Sequence, residues 1–290
     1  MSSTSTPYQT VPVDYFSRRG LRRYAGVFSL WALGVGAVIS GHYSGWNLGL
    51  LAGGWGGYAL AALAIAAMYL GLVFCIAEMA AALPHTGGAY SFARASMGPW
   101  GGFITGLCEN VEYVLTPAVV VSFLATYLAA VFDTPPAWLP LYWIAGYALF
   151  VALNILGVEL SFRVTVVVTL AALACLAVFW VSALSVVDFS RYALNIGAGP
   201  DGRPVELAQG NGPLLPFGLQ GALAALPFAV WLFLAIEQLP LAAEEAMQPS
   251  RDIPRGIVAG LLTLFVSAGL VVWLNASVAP GAFQLASSEI

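Results

Sequence analysis

Long stretches of this chain carry no charge at all. From Tyr24 to Ala77 the sequence contains no Asp, Glu, Lys or Arg. About 20 predominantly apolar residues suffice for one membrane-spanning helix, so this stretch exceeds a single span. Strands of a membrane barrel alternate between apolar and polar positions over about ten residues, whereas these apolar runs are continuous. The pattern therefore predicts an all-α, polytopic helical membrane protein.

Polar turns divide the apolar runs into separate spans. The glycines of 53–57 make the first turn, the polar segment 84–96 follows the second span, and 133–136 makes a later turn. The predicted spans are 24–51, 58–83, 100–131, 138–158, 164–187, 214–238 and 257–278. The chain accordingly divides into a tail (1–23), five helices (24–187), an extracytoplasmic loop (188–213) and two helices (214–290).

Composition and charge agree with this class and orient it. The chain is 60% hydrophobic and 8% charged, whereas soluble domains are about 25% charged, so a soluble domain and a nucleic-acid binder are excluded. With the N-terminus inside, only Arg191 and Arg203 of the ten arginines lie outside. Positive charge is enriched in cytoplasmic loops. We therefore expect a multi-pass protein of a bacterial inner membrane with a cytoplasmic N-terminal tail.

The three cysteines all fall within apolar runs. They are Cys75, Cys108 and Cys175. We interpret them as buried thiols that pack as small hydrophobic side chains, rather than as disulfides or metal ligands. No metal site, cofactor or catalytic residue is predicted.

Two of the spans contain residues that interrupt helices. In the first span these are Gly34, Gly36, Ser40, Gly41, Ser44 and Gly45; in the sixth they are Pro227, Glu237, Gln238 and Pro240. Interrupted helices at positions one and six are typical of transporters built from an inverted repeat of five helices, which hold the substrate at the breaks. Alternatively, the glycines allow close helix packing. If the repeat is present, the second copy contains only its first two helices, and we expect a truncated chain.

At the first break we expect Ser40, Gly41 and His42 to be unwound. Their free amide groups would attract the polar end of a substrate. His42 is either a site residue or a packed histidine bonded to a backbone carbonyl. At the second break, freed carbonyls of Phe233, Leu234 and Ala235 would accept hydrogen bonds from an ammonium group.

The third span carries two carboxylates on one helix face, because Glu109 and Glu112 are three residues apart. Such a pair within a membrane is costly unless one group is protonated or both meet a cation. It therefore suits an ammonium-binding or proton-carrying site next to Tyr113. Alternatively, Glu109 lies nearer the cytoplasm and reaches water or an arginine.

Two long motifs resemble the amino acid–polyamine–organocation superfamily of permeases. The first runs from Glu78 through Pro84, Gly87-Gly88, Tyr90, Phe92 and Arg94 to Gly98-Pro99 and Gly101-Gly102; the second is Glu244-Glu245-x3-Pro249-x-Arg251-x-Ile253-Pro254-Arg255. Within the superfamily the chain is most similar to bacterial ethanolamine permeases. The stretches that carry this similarity are 37–41, 44–47 and 109–117.

The resemblance implies a leucine-transporter-like inverted repeat with twelve helices, of which this chain holds about seven. It also implies that Glu237 acts in proton coupling or gating and that Trp231 stacks against the substrate. From its place in the carboxylate pair, Glu109 is a second candidate for coupling. The chain departs from the superfamily in two places: His42 replaces a usual glycine, and Ala172 lies near the position of a lysine found on the fifth helix of many proton-coupled relatives.

The expected function is import of a small primary amine, with ethanolamine as the first candidate, by a secondary transporter that uses alternating access. The partners would be the amine, the lipid bilayer, and protons or another coupling ion. An amino-acid permease of the same superfamily is the alternative. An intramembrane enzyme with an acid dyad fits poorly, because acid-dyad catalysis usually draws its carboxylates from separate elements.

Overall fold

The computed structural model of the protein describes residues 23–288, with the side chain of residue 158 excepted. The predicted tail therefore lies outside the described residues except for Arg23. The α-helices are Val27–Val38 (α1), Ser40–Tyr43 (α2), Gly49–Ala82 (α3), Gly88–Val131 (α4), Leu139–Leu156 (α5), Val158–Ala183 (α6), Gly218–Val230 (α7), Pro249–Leu274 (α8) and Ala282–Ser287 (α9). Short 3₁₀ helices lie at Trp46–Leu48, Pro136–Trp138, Ile236–Ala243 and Asn275–Ser277.

Five helical segments of the described chain are long and apolar enough to cross a membrane. They are Trp46–Ala82, Gly88–Val131, Pro136–Leu156, Glu159–Ala183 and Pro249–Ser277. Two shorter apolar helices, α1 and α7, correspond to the first and sixth predicted spans. These two are short because the chain leaves regular helical geometry soon after them. The predicted helical membrane protein is confirmed.

Two predicted boundaries coincide with sharp bends inside long helices. Two helical segments of α3 meet at Gly54, within the glycine cluster, where φ is 65°. Two helical segments of α4 meet at Gly98, where φ is 79°, so the predicted third span starts beside this bend and a further helical segment from Gly88 precedes it. The last long helix begins at Pro249 rather than at residue 257, because the helix extends beyond its apolar part.

The predicted loop 188–213 contains more structure than its polar composition indicates. A one-turn π-helix, Phe189–Ala193, is followed by strands β1 (Ile196–Ala198) and β2 (Pro204–Glu206). The strands pair antiparallel, with Ile196 opposite Glu206. This hairpin is the exception to the all-α prediction within the described residues.

Four helices and a 3₁₀ helix form what we call the core bundle: α1, α3, α7, α8 and Ile236–Ala243. Half of the apolar part of α8 is buried. Ile236 packs where Gly34 of α1 and Gly260 of α8 leave room, because a Cβ on either glycine would come within 3.0 Å of its side chain. Close glycine packing therefore brings the second interruption into contact with α1 and α8.

The remaining long helices, α4, α5 and α6, pack more loosely, and we call them the peripheral helices. Only 6% of the apolar part of α5 is buried. Thr169 of α6 is buried and donates from Oγ1 to the Ala32 carbonyl of α1 at 3.0 Å. Tyr43 of α2 donates from its hydroxyl to the Ala172 carbonyl of α6 at 2.7 Å. Hydrogen bonds thus join the peripheral helices to the first interrupted helix.

The three cysteines are free, but all are exposed, so the prediction that they are buried is wrong. Cys75 lies on α3, Cys108 on α4 and Cys175 on α6. An apolar run predicts that a residue avoids water. It does not distinguish a protein interior from a lipid-facing surface.

Candidate functional site

The first interruption lies later in the chain than the sequence predicts. Ser40, Gly41 and His42 remain helical in α2. Ser44 is extended, and Gly45 follows with a φ of 92°, which glycine adopts without a steric penalty. The helix persists past Ser40 because the Ser44 N–H still donates to the Ser40 carbonyl at 3.1 Å. The prediction that Ser40–His42 unwind is therefore wrong.

Gly41 serves close contact between the two interrupted helices. A Cβ at Gly41 would overlap the backbone carbonyl of Trp231 and touch its ring. A Cβ at Gly45 would lie only 2.7 Å from the Trp231 Nε1. Both glycines have the role that the packing alternative describes. Their packing places α2 directly against the second interruption.

The second interruption is present where the sequence predicts it. The helix α7 ends at Val230, and no regular helix covers 231–235. Ala235 has a left-handed φ of 86°, which a residue with a Cβ adopts only at a cost. Pro227 lies inside α7 without ending it, and the 3₁₀ helix begins at Ile236.

Two of the three carbonyls predicted to be free accept backbone hydrogen bonds. The Phe233 carbonyl accepts from the Ile236 N–H at 3.4 Å, and the Ala235 carbonyl accepts from the Gln238 N–H at 3.2 Å. The third, that of Leu234, belongs to a half-buried residue. A carbonyl oxygen has a second lone pair, so the two bonded groups retain one acceptor position each.

His42 joins the two interruptions. Its side chain is fully buried, and Nε2 lies 3.1 Å from the carbonyl oxygen of Leu232. Because a carbonyl only accepts, Nε2 carries the proton, and in the neutral ring Nδ1 is an acceptor. Nδ1 is buried without a hydrogen-bond partner among the described residues. His42 therefore makes the backbone contact of a packed histidine and still presents one nitrogen to a ligand.

Two more buried polar atoms at the second interruption have no hydrogen-bond partner in the described part of the chain. They are Trp231 Nε1 and Glu237 Oε2. Trp231 lines a cavity of about 160 Å³ together with Gly45 and Phe123. Buried polar atoms are normally satisfied by protein, water or ligand. The position of Trp231 beside a cavity makes its indole N–H a candidate donor to a bound polar group.

The acidic face of α4 turns toward the second interruption. Glu112 Oε1 accepts a hydrogen bond from Gln238 Nε2 at 2.7 Å. Glu109 accepts one from the Tyr113 hydroxyl. Glu237 lies close enough to both glutamates for their charges to interact. The structure thus brings together carboxylates that are more than a hundred residues apart in sequence.

Ser40 faces a different space. It lines a cavity of about 710 Å³ between α1, α2 and the peripheral helices, together with Tyr43, Ser44 and Tyr127. Ser44 Oγ donates to the Tyr127 hydroxyl at 3.1 Å, and that hydroxyl donates to the Tyr43 carbonyl at 2.8 Å. None of the three glutamates belongs to this lining. The lining of this cavity therefore contains Ser40 without the acidic group.

The side chain of Phe233 packs its ring within the core bundle and offers no polar group to a solute. Its ring lies 5.6 Å from the ring of Tyr69 and 5.5 Å from that of Phe265, centre to centre. Tyr69 also lies near the charges of Glu237 and Glu112. The phenyl ring therefore supports the interruption, while its backbone remains next to the site.

Sequence reasoning did not select Gln238, Tyr69 or Tyr127 as site residues. Gln238 does carry a signal, because it is a polar residue beside Glu237 in an apolar span. The two tyrosines lie in apolar runs that contain other aromatic residues. Only their tertiary contacts distinguish them.

The site is equipped to hold a small polar solute. Its unpartnered atoms comprise an indole donor and, with a neutral His42, two acceptors, one on imidazole and one on a carboxylate. Among residues 23–288, no group of three or more His, Cys, Asp or Glu side chains is placed to hold a metal ion.

Comparison with known proteins gives related transporters. An uncharacterized transporter of Rhizobium meliloti is 28% identical over 266 residues, covering 91% of this chain and 54% of its own length. A branched-chain amino acid permease of Bacillus subtilis is 25% identical, with 88% and 55% covered. Cationic amino acid transporter 4 of Mus musculus is 28% identical, with 88% and 40% covered. These names denote transporters, not enzymes.

The chain spans about half the length of the curated relatives it matches. The family model for amino acid permeases matches residues 26–288, which is most of the sequence. This match confirms the resemblance to the amino acid–polyamine–organocation superfamily. The protein belongs to the amino acid permease family.

Proposed function

We propose that the protein is a secondary active transporter that imports a small primary amine, with ethanolamine as the first candidate, by alternating access. The main support is the contact between the two interrupted helices. There His42 Nδ1, Trp231 Nε1 and Glu237 Oε2 are buried without a hydrogen-bond partner among the described residues. Leaving such atoms unsatisfied is costly. A bound amine would satisfy them.

The chemistry of protonated ethanolamine matches these atoms. Its ammonium group has three N–H donors, and its hydroxyl oxygen can accept a hydrogen bond. Under the proposal, His42 accepts from the solute, and the Trp231 N–H donates to its hydroxyl. The indole face adds a cation–π attraction for the ammonium.

Charge is the second support. A lysine at the centre of a membrane helix costs about 2.5–3.5 kcal/mol even on lenient scales, so a cationic solute needs an anionic partner. We infer that Glu112 faces the ammonium group. Glu237 then acts in gating or proton coupling, with Glu109 as the second coupling candidate. Protons or another ion would drive accumulation.

The second candidate function is amino acid transport. It is favoured by the relatives named as a branched-chain amino acid permease and a cationic amino acid transporter. An amino acid adds a carboxylate, which needs several donors, whereas the unpartnered group at the interruptions includes one indole N–H of Trp231. The acidic face of α4 also suits a solute with net positive charge.

Uptake by membrane vesicles decides between these substrates. Labelled ethanolamine is supplied with an unlabelled competitor from a panel of small amines, cationic amino acids and neutral amino acids. We expect primary amines to compete best. Stronger competition by neutral amino acids would replace the amine proposal by the amino acid one.

We also propose that the N-terminus is cytoplasmic and that the protein resides in a bacterial inner membrane. The arginine distribution supports this orientation. Single cysteines at the exposed positions Ala198 and Ala95, in a background without native cysteines, test it. A membrane-impermeant maleimide added outside should label position 198 and not position 95. The reverse pattern contradicts the orientation.

A further inference from the structure

A hydrogen bond between two side chains links the acidic face of α4 to the second interruption. Gln238 Nε2 donates to Glu112 Oε1 at 2.7 Å, a short distance for this type of bond. Both residues are half-buried. Gln238 lies on the 3₁₀ helix Ile236–Ala243, and Glu112 lies near the middle of α4. The bond therefore crosses from the core bundle to the peripheral helices.

The 3₁₀ helix is anchored to the core bundle by apolar side chains. Ile236 and Leu239 are buried at 0% and 2% exposure, and Ile236 is enclosed by glycines of α1 and α8. On the peripheral side, Leu241 packs over Gly88 at the start of α4, and Gln238 bonds Glu112. Breaking the Gln238–Glu112 bond would loosen this side while leaving the anchored side intact.

We propose that Gln238 occupies Glu112 as a placeholder for the ammonium group of the solute, and that its displacement releases the 3₁₀ helix from α4. This inference rests on the proposed amine transport. An amide N–H is a neutral donor of the kind that an ammonium group supplies with charge. The amide–carboxylate bond already has an ionised acceptor, but an ammonium adds the Coulomb attraction between opposite charges, which is stronger away from bulk water, so an ammonium outcompetes the amide for the carboxylate.

The placeholder makes Gln238 a specificity-determining residue. A solute without an ammonium group gains too little from Glu112 to displace the amide. An ammonium-bearing solute displaces it and frees the 3₁₀ helix to move relative to the peripheral helices. Recognition of the charged solute and release of the 3₁₀ helix from α4 therefore occur in one event.

The first experiment measures equilibrium binding of labelled ethanolamine to the full chain at about pH 8. Gln238→Leu removes the competing donor at similar size, and Gln238→Asn withdraws it by one carbon. We expect both variants to bind ethanolamine about tenfold more tightly, as removal of a hydrogen bond to a charged group implies. If one of the two variants fails to fold, the other still tests the proposal.

The chain offers a matched control. Gln284 donates to Glu206 at 3.2 Å between exposed side chains, so Gln284→Leu removes the same type of bond elsewhere. Its affinity for ethanolamine should equal that of the wild type. If both Gln238 variants bind ethanolamine with unchanged or weaker affinity, the placeholder is disproved.

The second experiment needs no amine. Leu241→Cys, in a background without native cysteines, reports on the contact between the 3₁₀ helix and Gly88. In permeabilised membranes Gln238→Leu should raise its maleimide labelling rate several-fold, and Gln284→Leu should not. An unchanged rate overturns the release from α4. If Gln238→Leu speeds labelling but the protein binds no amine, the Gln238–Glu112 bond holds the 3₁₀ helix against α4 and the proposed amine transport is wrong.

Discussion

The core bundle and the peripheral helices are held together by different interactions. Half of the apolar part of α8 is buried, against 11% for α4 and α6 and 6% for α5. Within the bundle, apolar side chains interlock with glycines, as around Ile236. Between the two regions, Thr169 bonds Ala32 and Gln238 bonds Glu112, and Gly36 of α1 also packs closely against Thr165 and Thr169 of α6.

This difference identifies where relative motion costs least. Interlocked side chains must be pulled apart together, because close packing leaves no intermediate positions of low energy. A single hydrogen bond contributes only about 0.5–1.5 kcal/mol and can be exchanged for another partner. A transporter that alternates between two states would move the peripheral helices against the core bundle.

The largest effect is expected from Gly41→Val. A side chain at position 41 would overlap the Trp231 backbone, which cannot move without displacing the second interruption. We expect ethanolamine affinity to fall about a hundredfold, while the protein still inserts into the membrane. Gly71→Val is the control, because a Cβ at Gly71 meets nothing within 4 Å. Unchanged affinity in Gly41→Val would show that contact between the interruptions is not needed for binding.

Neutralising the two glutamates should separate binding from coupling. Glu112→Gln should weaken equilibrium binding of ethanolamine by roughly tenfold or more, because it removes an ionic partner of the ammonium. Glu237→Gln should retain binding and lower net accumulation driven by a proton gradient. Glu159→Gln, which removes the carboxylate of an exposed pair with Arg163, is the control. If Glu112→Gln binds like the wild type, the ammonium lies elsewhere, with Trp231 and the carbonyls of the second interruption as the next candidates.

A smaller effect is expected at the joint between α1 and α6. Thr169→Val keeps the size of the side chain but removes its bond to the Ala32 carbonyl. The free energy of unfolding should fall by about 1 kcal/mol, which lowers the thermal midpoint in detergent by about 2–4 °C. Thr126→Val removes a bond to Ser122 within α4 and should change the midpoint less. Equal shifts would mean that Thr169 contributes only to its own helix.

The smallest effect is expected at the end of the core bundle that contains Glu245. The Tyr24 and Ala25 N–H groups donate to the Glu245 carbonyl at 2.9 Å, and burial raises the pKa of the Glu245 side chain above its usual value. The folded chain therefore holds that proton more tightly than the unfolded chain, and stability is lost as the pH rises through this range. Glu245→Gln should be more stable than the wild type by less than about 1 kcal/mol near pH 8. As the pH falls and Glu245 becomes protonated, the thermal midpoints of Glu245→Gln and the wild type should converge. Midpoints that stay apart would contradict this account.

The sequence predicted the two interruptions with unequal success. Near Glu237 and Pro240, polar and cyclic residues in an apolar span mark the second break directly. In the first span, glycines occur at both packing positions and breaking positions, and their identity does not separate the two uses. Gly41 accommodates Trp231 in a helix, whereas Gly45 supplies the positive φ. The contact with the neighbouring helix determines whether a glycine serves close packing or a break in the helix.

The sequence by itself determined the class of protein and the position of the second interruption. These follow from the hydrophobic effect and from local backbone chemistry, which act along the chain. The tertiary structure decided which polar groups meet: His42 with Leu232, and Glu112 with Gln238. Such pairs join residues more than a hundred positions apart, and their contact depends on how the helices pack. No pattern along one helix contains that information, because the partner of each side chain lies on another helix.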